Sequence, residues 1–437
     1  LDPWADPYNS GFQLTQSLIA IGRGQWFGVG LGDSVQKLFY LPEAHTDFLF
    51  AVLAEELGLL GVLLTLALFL GLVWRSFYIA RLASQAGLKF PSLLAVGFGL
   101  WVGIQSLPVI WLGTARGLES RVIPAEGIPI EHLSVGGLRG KGVLSWLAAP
   151  FRLTLALIQA LRVMWRHRPV VVVGLGGFVT GPGGVAAWLT RRPLLIHEQN
   201  AIAGFTNRML AHLARQVLEA FPGSFGHDVH ARVIGNPVRR DISAVAPPAE
   251  RFAGRTGPVR ILVIGGSQGA TRLNAVVPFA LKRVAAWLAF DVRHQAGERW
   301  IDAGRASYAQ AGVRADVRPF IEDMSEAYGW ADVVICRAGA LTVSELAAVG
   351  VASILVPFPG SVDDHQAYNA QYLVREGAAV LIADRELTAE RLAEELQRLC
   401  AGRGKLLGMA ERARLLAKPR AADELAASCL ELARRAA

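Results

Sequence analysis

The distribution of charge constrains the fold of this 437-residue sequence more than any other feature. No acidic residue occurs between Glu56 and Glu119, and Leu57 to Trp74 form an uncharged run of 18 residues that ends at Arg75. A second uncharged run, of 23 residues, extends from Phe90 to Leu112. Each run is long enough to cross the roughly 30 Å hydrocarbon core of a bilayer. The pattern predicts about two transmembrane helices, with two buried core helices of a soluble protein as the alternative.

The remainder of the chain has a different charge balance. Residues 1–106 contain five basic and seven acidic side chains, whereas the rest contains 39 basic and 29 acidic ones. A basic surface can bind anionic lipid, nucleotide phosphates or nucleic acid, and net charge alone does not indicate which of them is the partner. Arg75, Arg81 and Lys89 lie between the two uncharged runs without an acidic residue. The positive-inside rule therefore places that short loop in the cytoplasm and residues 1–46 outside.

Cysteine usage argues against a disulfide-stabilised or zinc-binding protein. The three cysteines, Cys336, Cys400 and Cys429, are too few and too far apart for a disulfide framework or a zinc site. This composition favours a reducing compartment for the globular part. No metal and no cofactor are expected.

From Leu107 onward, short apolar runs alternate with helical stretches. Examples are "VVVVGLGGFVTGPGGVAAWL", "VRILVIGGSQGATRLNAVVPFALKRV" and "ADVVICRAGALTVSELAAVG". Continuous Val, Ile and Leu strands followed by glycine turns and helices are typical of a parallel sheet covered on both faces. A Pro- and Gly-rich linker at residues 245–257 divides this region in two. The sequence predicts an α/β class with two doubly wound halves and a ligand cleft at the carboxyl ends of their strands.

Three glycine turns are candidate phosphate sites. The turns at Gly174–Gly184, Gly265–Ala270 and Arg337–Glu345 each follow a strand and open a helix, where backbone N–H groups can approach a phosphate. A tight turn from strand to helix explains each of them equally well. Glu345 lies one turn into its helix, where its carboxylate could bind both ribose hydroxyls or simply interact with the helix dipole. A dehydrogenase is excluded, because no G-x-G-x-x-G with an acidic residue about 20 positions later is present.

The first 106 residues resemble a family of membrane proteins. The segment "GVGLGDSVQKLFYLPEAHTDFLFAVLAEELG" is similar to the SEDS cell-wall polymerases, specifically the FtsW-like cell-division branch, of which residues 1–106 would be a C-terminal fragment. The resemblance implies that Asp47 of "HTDF" is the base for glycan polymerisation, near His45 and Glu43. The alternative is that Asp47 caps the helix beginning at Phe48.

The region after Leu107 resembles a second family. The motifs "GLRGKG", "GGFVTGPGG", "HEQNAIAG", "GNPVR", "GGSQGA", "PFIEDM", "GALTVSE" and "DDHQAYNA" occur in the order found in the MurG family, whose fold is the two-Rossmann GT-B type. The resemblance implies an inverting hexosyltransferase of peptidoglycan biosynthesis, which transfers N-acetylglucosamine from UDP-N-acetylglucosamine to lipid I and gives lipid II. No Asp-x-Asp occurs, which fits stabilisation of the leaving diphosphate by helix dipoles and Arg.

The resemblance also implies a set of binding residues. It assigns Asn200 and Gln366 to the sugar, Arg239 and Ser267 to the diphosphate side, and the backbone of Ile321 to uracil. Ala340, Leu341, Thr342, Val343, Ser344 and Glu345 would hold the diphosphate and ribose. The acceptor and membrane face would contain Lys141, Trp146, Phe151, Gly176 and Gly177. The apolar residues of that face lie beside Arg139, Lys141 and Arg152, a pattern typical of an interfacial surface, with ordinary helix core as the alternative.

One departure from the second family is large. The family begins with a strand, a Gly-Gly-Thr-Gly-Gly-His turn whose histidine is the favoured base, and a helix, and this sequence lacks that motif. The seam falls near Ser106 and Leu107, and residues Val109–Leu112 are predicted to belong to a sheet. We expect a membrane fragment (1–106), a truncated acceptor domain (107–244), the linker, and a UDP-sugar domain with C-terminal helices (258–437). Transferase activity is expected to be impaired.

The two resemblances together imply where the chain acts and with what. Expected partners are UDP-N-acetylglucosamine, undecaprenyl-linked lipid I, an anionic membrane surface and division-site proteins, without nucleic acid. The expected location is the bacterial cell membrane, with the globular part on its cytoplasmic face. Two alternatives remain open at this point: an FtsW-type lipid II polymerase or cell-division fragment, and a noncatalytic scaffold.

Overall fold

The computed structural model describes residues 12–30, 33–34, 49–85, 109–115, 119–135, 149–226, 228–265, 270–360 and 364–436. The chain divides into two compact units, Leu1–Val109 and Ile110–Ala437. Each unit is described by itself.

The first unit contains the predicted first membrane span. Its helices are α1 (Phe12–Arg23) and α2 (Leu49–Gln85). Within the described residues, one helical segment, Phe50–Ser76, is long and apolar enough to cross a membrane, and its large side chains are mostly exposed. Residues 90–108 of the second predicted span, Phe90–Leu112, lie outside the described residues. Its last part is not helical, because Trp111–Gly113 form a strand.

A break at Gly58 divides α2 into two helical parts. Gly58 has φ 65° and ψ −168°, a conformation that interrupts the helical hydrogen bonds. The N–H groups of Leu59 and Leu60 after the break donate instead to the carbonyls of Gln25 and Trp26, at 2.8 and 3.1 Å. The segment that follows α1 therefore supplies the acceptors that these N–H groups lose at the break.

The second unit begins with a series of short strands and helices, which we call the first half (residues 110–244). In chain order these are β1 (Trp111–Gly113), α3 (Glu119–Ala125), β2 (Ile130–His132), α4 (Ala149–His167), β3 (Val172–Gly174), α5 (Thr180–Leu189), β4 (Leu194–Glu198), α6 (Phe205–Ala211), β5 (Gln216–Glu219), β6 (Ala231–Val233) and α7 (Arg240–Ser243).

The second half (residues 258–436) alternates strands and helices more regularly. Preceded by α8 (Pro248–Phe252), it contains β7 (Val259–Ile264), α9 (Thr271–Val284), β8 (Phe290–Gln295), α10 (Ile301–Ala311), β9 (Asp316–Arg318), α11 (Met324–Trp330), β10 (Val333–Cys336), α12 (Ala340–Val349), β11 (Ala352–Leu355), α13 (His365–Val374), β12 (Ala379–Leu381), α14 (Ala389–Cys400), α15 (Arg403–Leu415) and α16 (Ala421–Ala436). Short 3₁₀ turns lie at Glu298–Trp300 and Asp384–Glu386.

Local sequence explains where several of these helices begin and end. The Asp323 carboxylate accepts a hydrogen bond from the N–H of Glu326 at 2.8 Å and caps α11. The Thr388 hydroxyl caps α14 in the same way. Helices α10 and α12 end at Gly312 and Gly350, whose φ values of 69° and 66° favour glycine.

All strands described in the second unit pair in parallel. The second half has one six-stranded sheet in the order β12-β11-β10-β7-β8-β9. The first half has a four-stranded sheet, β3-β4-β5-β6, and a separate pair, β1-β2. The predicted parallel sheets and the strand at the seam are confirmed, although the strand begins at Trp111 rather than Val109.

The two sheets of the first half share one hydrophobic core. Leu112 of β1 and Leu133 after β2 belong to the same apolar cluster as Val172 of β3 and Leu194 of β4. Among the described residues, however, β1 pairs only with β2, and β3 pairs only with β4. Within the described residues, β1 and β3 are therefore both edge strands, and both contribute to one core.

The predicted linker is attached to the second half. Helix α8 lies inside it, and the Arg251 guanidinium donates to the carbonyls of Val349 and Gly350. Arg255 forms a buried ion pair with Asp332, whose side chain is fully buried. These contacts fix the path of the chain between the halves.

The last helix crosses back to the first half. Leu432 of α16 packs in a cluster with Leu195 and Leu218 of the β3-β4-β5-β6 sheet, and Ser428 accepts a hydrogen bond from Arg232 at 2.7 Å. Helix α16, one of the C-terminal helices of the expected domain 258–437, therefore also packs against the sheet of the first half. The apolar face of α16 is covered by the first sheet, which the sequence pattern of a single helix does not reveal.

Candidate active site

A cleft of about 530 Å³ lies between the two halves of the second unit. Residues from both halves line it: Leu175, His197, Gln199, Asn200, Asn236, Pro237, Gly339, Ala340, Leu341, Thr342 and Leu425. Most of them follow the carboxyl ends of β3, β4, β6 and β10. The cleft therefore occupies the position that the predicted doubly wound folds assign to a ligand.

The first turn of α12 forms one wall of the cleft. Gly339 precedes the helix in an extended conformation, and Ala340, Leu341 and Thr342 follow it. The first N–H groups of a helix have no carbonyl partner within the helix, and the helix dipole adds partial positive charge there. This wall suits a phosphate or diphosphate.

The Glu198 carboxylate organises the loop that carries Asn200. Its Oε1 accepts hydrogen bonds from the N–H and the side-chain amide of Asn200, at 2.9 and 3.1 Å. Its Oε2 accepts from Gly204 N–H and Asn207 Nδ2, at 3.2 and 2.8 Å. Four hydrogen-bond donors offset the free-energy cost of burying this carboxylate. Glu198 therefore fixes the side-chain orientation of Asn200.

Two asparagines connect the halves across the cleft. Asn236, after β6, donates to the carbonyl of Gln199 and to the hydroxyl of Ser344 on α12, both at 3.0 Å. Asn369, on α13, accepts from the N–H of Ala201 at 2.7 Å. Both asparagines are at most 2% exposed. The wall that carries Ser344 and the loop that carries Asn200 are thus hydrogen-bonded to the opposite half.

Glu345 is half-buried behind the first turn of α12. Its Oε2 accepts a hydrogen bond from the Tyr328 hydroxyl at 2.9 Å. Burial raises the pKa of the Glu345 carboxyl, against the Tyr328 hydrogen bond and the positive charge of Arg239, which both lower it. Arg239 is itself exposed and pairs with Asp241 at 3.0 Å. The structure thus brings Glu345 and Arg239, predicted from separate motifs, close enough to interact electrostatically.

Gln366 ties two strand ends together. Its Oε1 accepts hydrogen bonds from the N–H groups of Ala338, after β10, and Phe358, after β11, at 3.2 and 2.9 Å. In the described part of the chain, Nε2 has no protein partner, so the amino group remains available to a ligand. Arg337 supports the same strand ends through its ion pair with Asp384 at 2.6 Å and its bond to the Val356 carbonyl at 3.1 Å.

Ile321 departs in one respect from the expected contact with uracil. Its N–H already donates to the side-chain Oε1 of Gln295 at 3.1 Å, and both residues are buried. A base at this position would share that N–H with Gln295 or displace it. Gln295 lies at the end of β8 and was not singled out by the sequence.

The glycine turn after β3 adopts conformations that favour glycine. Gly176 and Gly177 have φ values of 90° and 80°, and Thr180 on α5 donates to the Gly176 carbonyl. A Cβ atom at Gly176 would lie 3.5 Å from Asn207 Nδ2. The turn therefore brings its backbone close to the Glu198 network.

Several predicted site residues fall outside the described residues. These are Asp47, Lys141, Trp146 and Ser267, so the expected polymerase base and much of the expected membrane face stay predictions. Phe151, which belongs to that face, is 76% exposed on α4. The buried face of the same helix contains Ala156, Ala160 and Met164, so this side of α4 is helix core, and the interfacial role of the exposed side stays a prediction.

Several residues in and around the cleft were not predicted from the sequence. It did not single out Glu198 and His197 of "HEQN", Asn236 of "GNPVR" or Asn369 of "DDHQAYNA" as site residues. Each lies within a recognised motif, two or three residues from an assigned position. Their shared signal is a polar residue within or shortly after a strand, or in the first turns of the helix that follows.

Three family models match the chain. A model described as a cell cycle protein (FtsW, RodA and SpoVE) matches residues 1–140. Models described as the N-terminal and C-terminal domains of glycosyltransferase family 28 match residues 96–219 and 260–425. The first two overlap over residues 96–140, a range that includes the predicted seam. Both resemblances found in the sequence are confirmed.

Relatives match the second part of the chain over most of their own length. A UDP-N-acetylglucosamine--N-acetylmuramyl-(pentapeptide) pyrophosphoryl-undecaprenol N-acetylglucosamine transferase from Alkalilimnicola ehrlichii is 57% identical over 330 residues, 76% of this chain and 92% of the relative. The protein of the same name from Marinobacter nauticus is 54% identical over 325 residues, 74% of this chain and 90% of the relative.

Solved structures confirm the expected GT-B fold. The crystal structure of Acinetobacter baumannii MurG has a TM-score of 0.66 and 38% identity, covering 83% of this chain and 96% of that one. A UDP-GlcNAc 2-epimerase from Neisseria meningitidis, at 13% identity and a TM-score of 0.51, covers 74% of this chain and 91% of that one, and shows the fold alone. The chain therefore belongs to the MurG family of glycosyltransferases, joined at its N-terminal end to a segment of the FtsW, RodA and SpoVE cell cycle family.

Proposed function

We propose that this chain transfers N-acetylglucosamine from UDP-N-acetylglucosamine to lipid I and so forms lipid II. The observation that carries the proposal is the cleft between the halves, where Asn200 faces the first turn of α12. The relatives' names supply the donor, the transferred sugar and the undecaprenyl-linked acceptor. The combination of a helix N-terminus and carboxamide side chains suits a sugar linked to a diphosphate.

The donor would be held by the residues that line or support the cleft. The N–H groups of the first turn of α12 would bind the diphosphate, and Glu345 would accept hydrogen bonds from the ribose hydroxyls. Asn200 and the free amino group of Gln366 would bind the sugar. Arg239 would add positive charge on the diphosphate side, to which the family resemblance also assigns Ser267, and the Ile321 backbone would contact uracil.

The reaction is an inverting displacement at the anomeric carbon. The 4-hydroxyl oxygen of muramic acid bonds to C1 of N-acetylglucosamine, the bond from C1 to the diphosphate oxygen breaks, and UDP leaves with the bonding electrons. The hydroxyl proton passes to a base. The dipole of α12 would stabilise the charge that develops on the leaving diphosphate, a contribution that fixed dipoles make efficiently.

The chain as written is proposed to be a slow transferase. The histidine that the family places in its first glycine turn is absent from the sequence, and a positioned base contributes about 10²–10⁴-fold to rate. Among the described strands, β1 and β3 each have one unpaired edge, which supports the same proposal, because a strand between them would complete one parallel sheet. The domain limits proposed are those of the sequence: 1–106, 107–244, 245–257 and 258–437.

The acceptor is proposed to be reached at a membrane surface. Phe151 is exposed on α4, and the neighbouring Arg152 adds positive charge, as in surfaces that insert apolar side chains beside anionic lipid headgroups. Gly176 and Gly177 would line the acceptor side of the cleft. The location proposed is the cell membrane, with the globular part on its cytoplasmic face and division-site proteins as further partners.

Two measurements on the full chain in detergent test the proposal. Calorimetry with UDP should detect binding, and incubation with lipid I and UDP-N-acetylglucosamine should give lipid II slowly. A matched pair of variants, Glu345→Ala and Glu411→Ala, separates the site from general effects, because only the first residue adjoins the cleft wall. Absence of both UDP binding and lipid II formation would overturn the proposal.

A further inference from the structure

Two buried polar atoms at the floor of the cleft have no hydrogen-bond partner among the described residues. They are Nδ1 of His197, which is 0% exposed, and Oδ1 of Asn236, which is 2% exposed. Both residues line the cleft between the halves. A buried polar atom without a partner costs free energy, so a ligand that supplies the missing bonds gains affinity there.

The other polar atom of each side chain shows which kind of partner is missing. His197 Nε2 lies 3.0 Å from the carbonyl oxygen of Gly235. A carbonyl oxygen only accepts hydrogen bonds, so Nε2 carries the ring proton and Nδ1 presents a lone pair. Burial lowers the pKa of His197, against the opposing effects of the Gly235 bond and the Glu198 charge, which keeps the ring neutral at physiological pH.

The same reasoning fixes the amide of Asn236. Its Nδ2 donates to the carbonyl of Gln199, which only accepts, and to the hydroxyl oxygen of Ser344. The Ser344 hydroxyl proton is itself donated to the carbonyl of Ala340 at 3.0 Å. The amide can therefore not be reversed, and Oδ1 is an obligate acceptor.

We propose that His197 Nδ1 and Asn236 Oδ1 form a subsite that accepts hydrogen bonds from the hydroxyl groups of the donor's hexose. The inference rests on the proposed function, since it assigns this subsite to the sugar of UDP-N-acetylglucosamine. The floor offers only acceptors, so it favours a ligand part rich in hydroxyl donors and disfavours an anion. The phosphates, which carry only acceptors, are directed instead to the N–H groups at the first turn of α12.

The test compares UDP with UDP-N-acetylglucosamine on the full chain in detergent. His197→Gln keeps an N–H that can donate to the Gly235 carbonyl but removes the Nδ1 acceptor, and Asn236→Ala removes Oδ1. Each variant should lose about tenfold more affinity for UDP-N-acetylglucosamine than for UDP, the effect of leaving one donor unmatched. Asn274→Ala is the matched control, because Asn274 is equally buried but belongs to a different network, bonded to His294 and the Ala296 carbonyl.

Donors that lack single hydroxyl groups separate recognition from structure. The parent should lose affinity for at least one of the 3-, 4- and 6-deoxy donors, and the corresponding variant should show no further loss with that donor. A purely structural role would give equal losses for all donors and for UDP.

The outcomes distinguish the two proposals. A parent that binds neither UDP nor UDP-N-acetylglucosamine overturns the proposed function and this inference with it. A parent that binds UDP, with a preference for the sugar nucleotide that is unchanged in both variants or absent altogether, overturns the inference alone.

Discussion

Asn369 of the second half donates a hydrogen bond from Nδ2 to the side-chain Oδ1 of Asn200 in the first half, over 3.3 Å. The same amide donates to the carbonyl of Ala338 at 3.3 Å and accepts from the N–H of Ala201 at 2.7 Å. Asn200 is held from its other side by Glu198. The side chain expected to contact the sugar is therefore positioned by both halves at once.

Replacement of Asn369 should loosen this connection. Asn369→Ala leaves Ala201 N–H, Asn200 Oδ1 and Ala338 O without their partner, which we expect to lower the free energy of unfolding by about 1–3 kcal/mol. The KM for UDP-N-acetylglucosamine should rise, because Asn200 loses one of its two supports. Denaturant titration and initial rates of lipid II formation measure the two effects. Gln371→Ala on the same helix serves as the control, and similar behaviour of both variants would contradict the positioning role.

The buried Glu345 carboxyl is expected to lower the free energy of unfolding at neutral pH, although it contributes to UDP binding. Its pKa is raised by burial, so the folded state favours the protonated form more than the unfolded state does. Stability from this group is present below the unfolded pKa and is lost as pH rises through the folded pKa. Glu345→Gln keeps an acceptor for the Tyr328 hydroxyl and should therefore be more stable than the parent at pH 7, with the difference smaller at pH 4.

The same substitution should weaken UDP binding by about 1–3 kcal/mol, because a ribose hydroxyl loses its charged partner. Calorimetry at pH 7 measures the loss of UDP affinity, and thermal unfolding over pH 4–8 measures the change in stability. If the variant binds UDP as tightly as the parent, Glu345 only interacts with the helix dipole and does not bind the ribose.

His294 should contribute to unfolding in acid. It is buried between Asn274 Oδ1, at 3.0 Å, and the Tyr308 hydroxyl, at 2.9 Å. Burial lowers its pKa to about 3. A histidine with a lowered folded pKa contributes stability that is present above the unfolded pKa of 6.5 and is lost as pH falls towards 3.

The expected slope from this one group is about 1.4 kcal/mol per pH unit within that window. His294→Gln, which retains hydrogen-bonding capacity without a titrating ring, should flatten the dependence of unfolding free energy on pH between about 6 and 4 relative to the parent. Urea titrations across this range measure the slope. Parallel curves for the two proteins would show that His294 is protonated without cost.

The sequence predicted what depends on local pattern. Strands such as β7 and β10 are continuous apolar runs followed by glycine turns, as expected for a parallel sheet, and the structure places both at the centre of the six-stranded sheet. Asn200 and Ala340 were predicted from separate motifs, and the structure places both in one cleft. Periodicity and turn chemistry are local properties, so a single sequence reveals them.

What the sequence could not predict depends on contacts between distant segments. Asn369 and Ala201 are joined across 168 positions, and no local pattern indicates that pairing. The packing of α16 against the first sheet joins Leu432 to Leu195 and Leu218, more than 200 positions earlier in the chain. The hydrogen bond between Ile321 and Gln295 also depends on the register of neighbouring strands rather than on either motif.

Restoring one segment should restore most of the transferase activity. Among the described residues, β1 pairs only with β2 and β3 only with β4, although Leu112 and Val172 share one core. A parallel strand inserted between these edges would satisfy both, and its glycine turn would open at the carboxyl edge of the sheet beside Gly176. We therefore expect a chain with a family-type strand, Gly-Gly-Thr-Gly-Gly-His turn and helix inserted before Leu107 to be faster than the parent.

The inserted segment should act in two ways. Its histidine supplies a base, worth about 10²–10⁴-fold, and its turn supplies N–H donors, each worth roughly 10²–10³-fold in a reacting site. Pairing of the exposed strand edges should also reduce aggregation, which light scattering would detect. A control insertion with the turn histidine replaced by alanine separates the gain from folding and the gain from chemistry. Equal rates of lipid II formation for the parent and the restored chain would show that the residues already present, among them His197 in the cleft, are sufficient for the reaction.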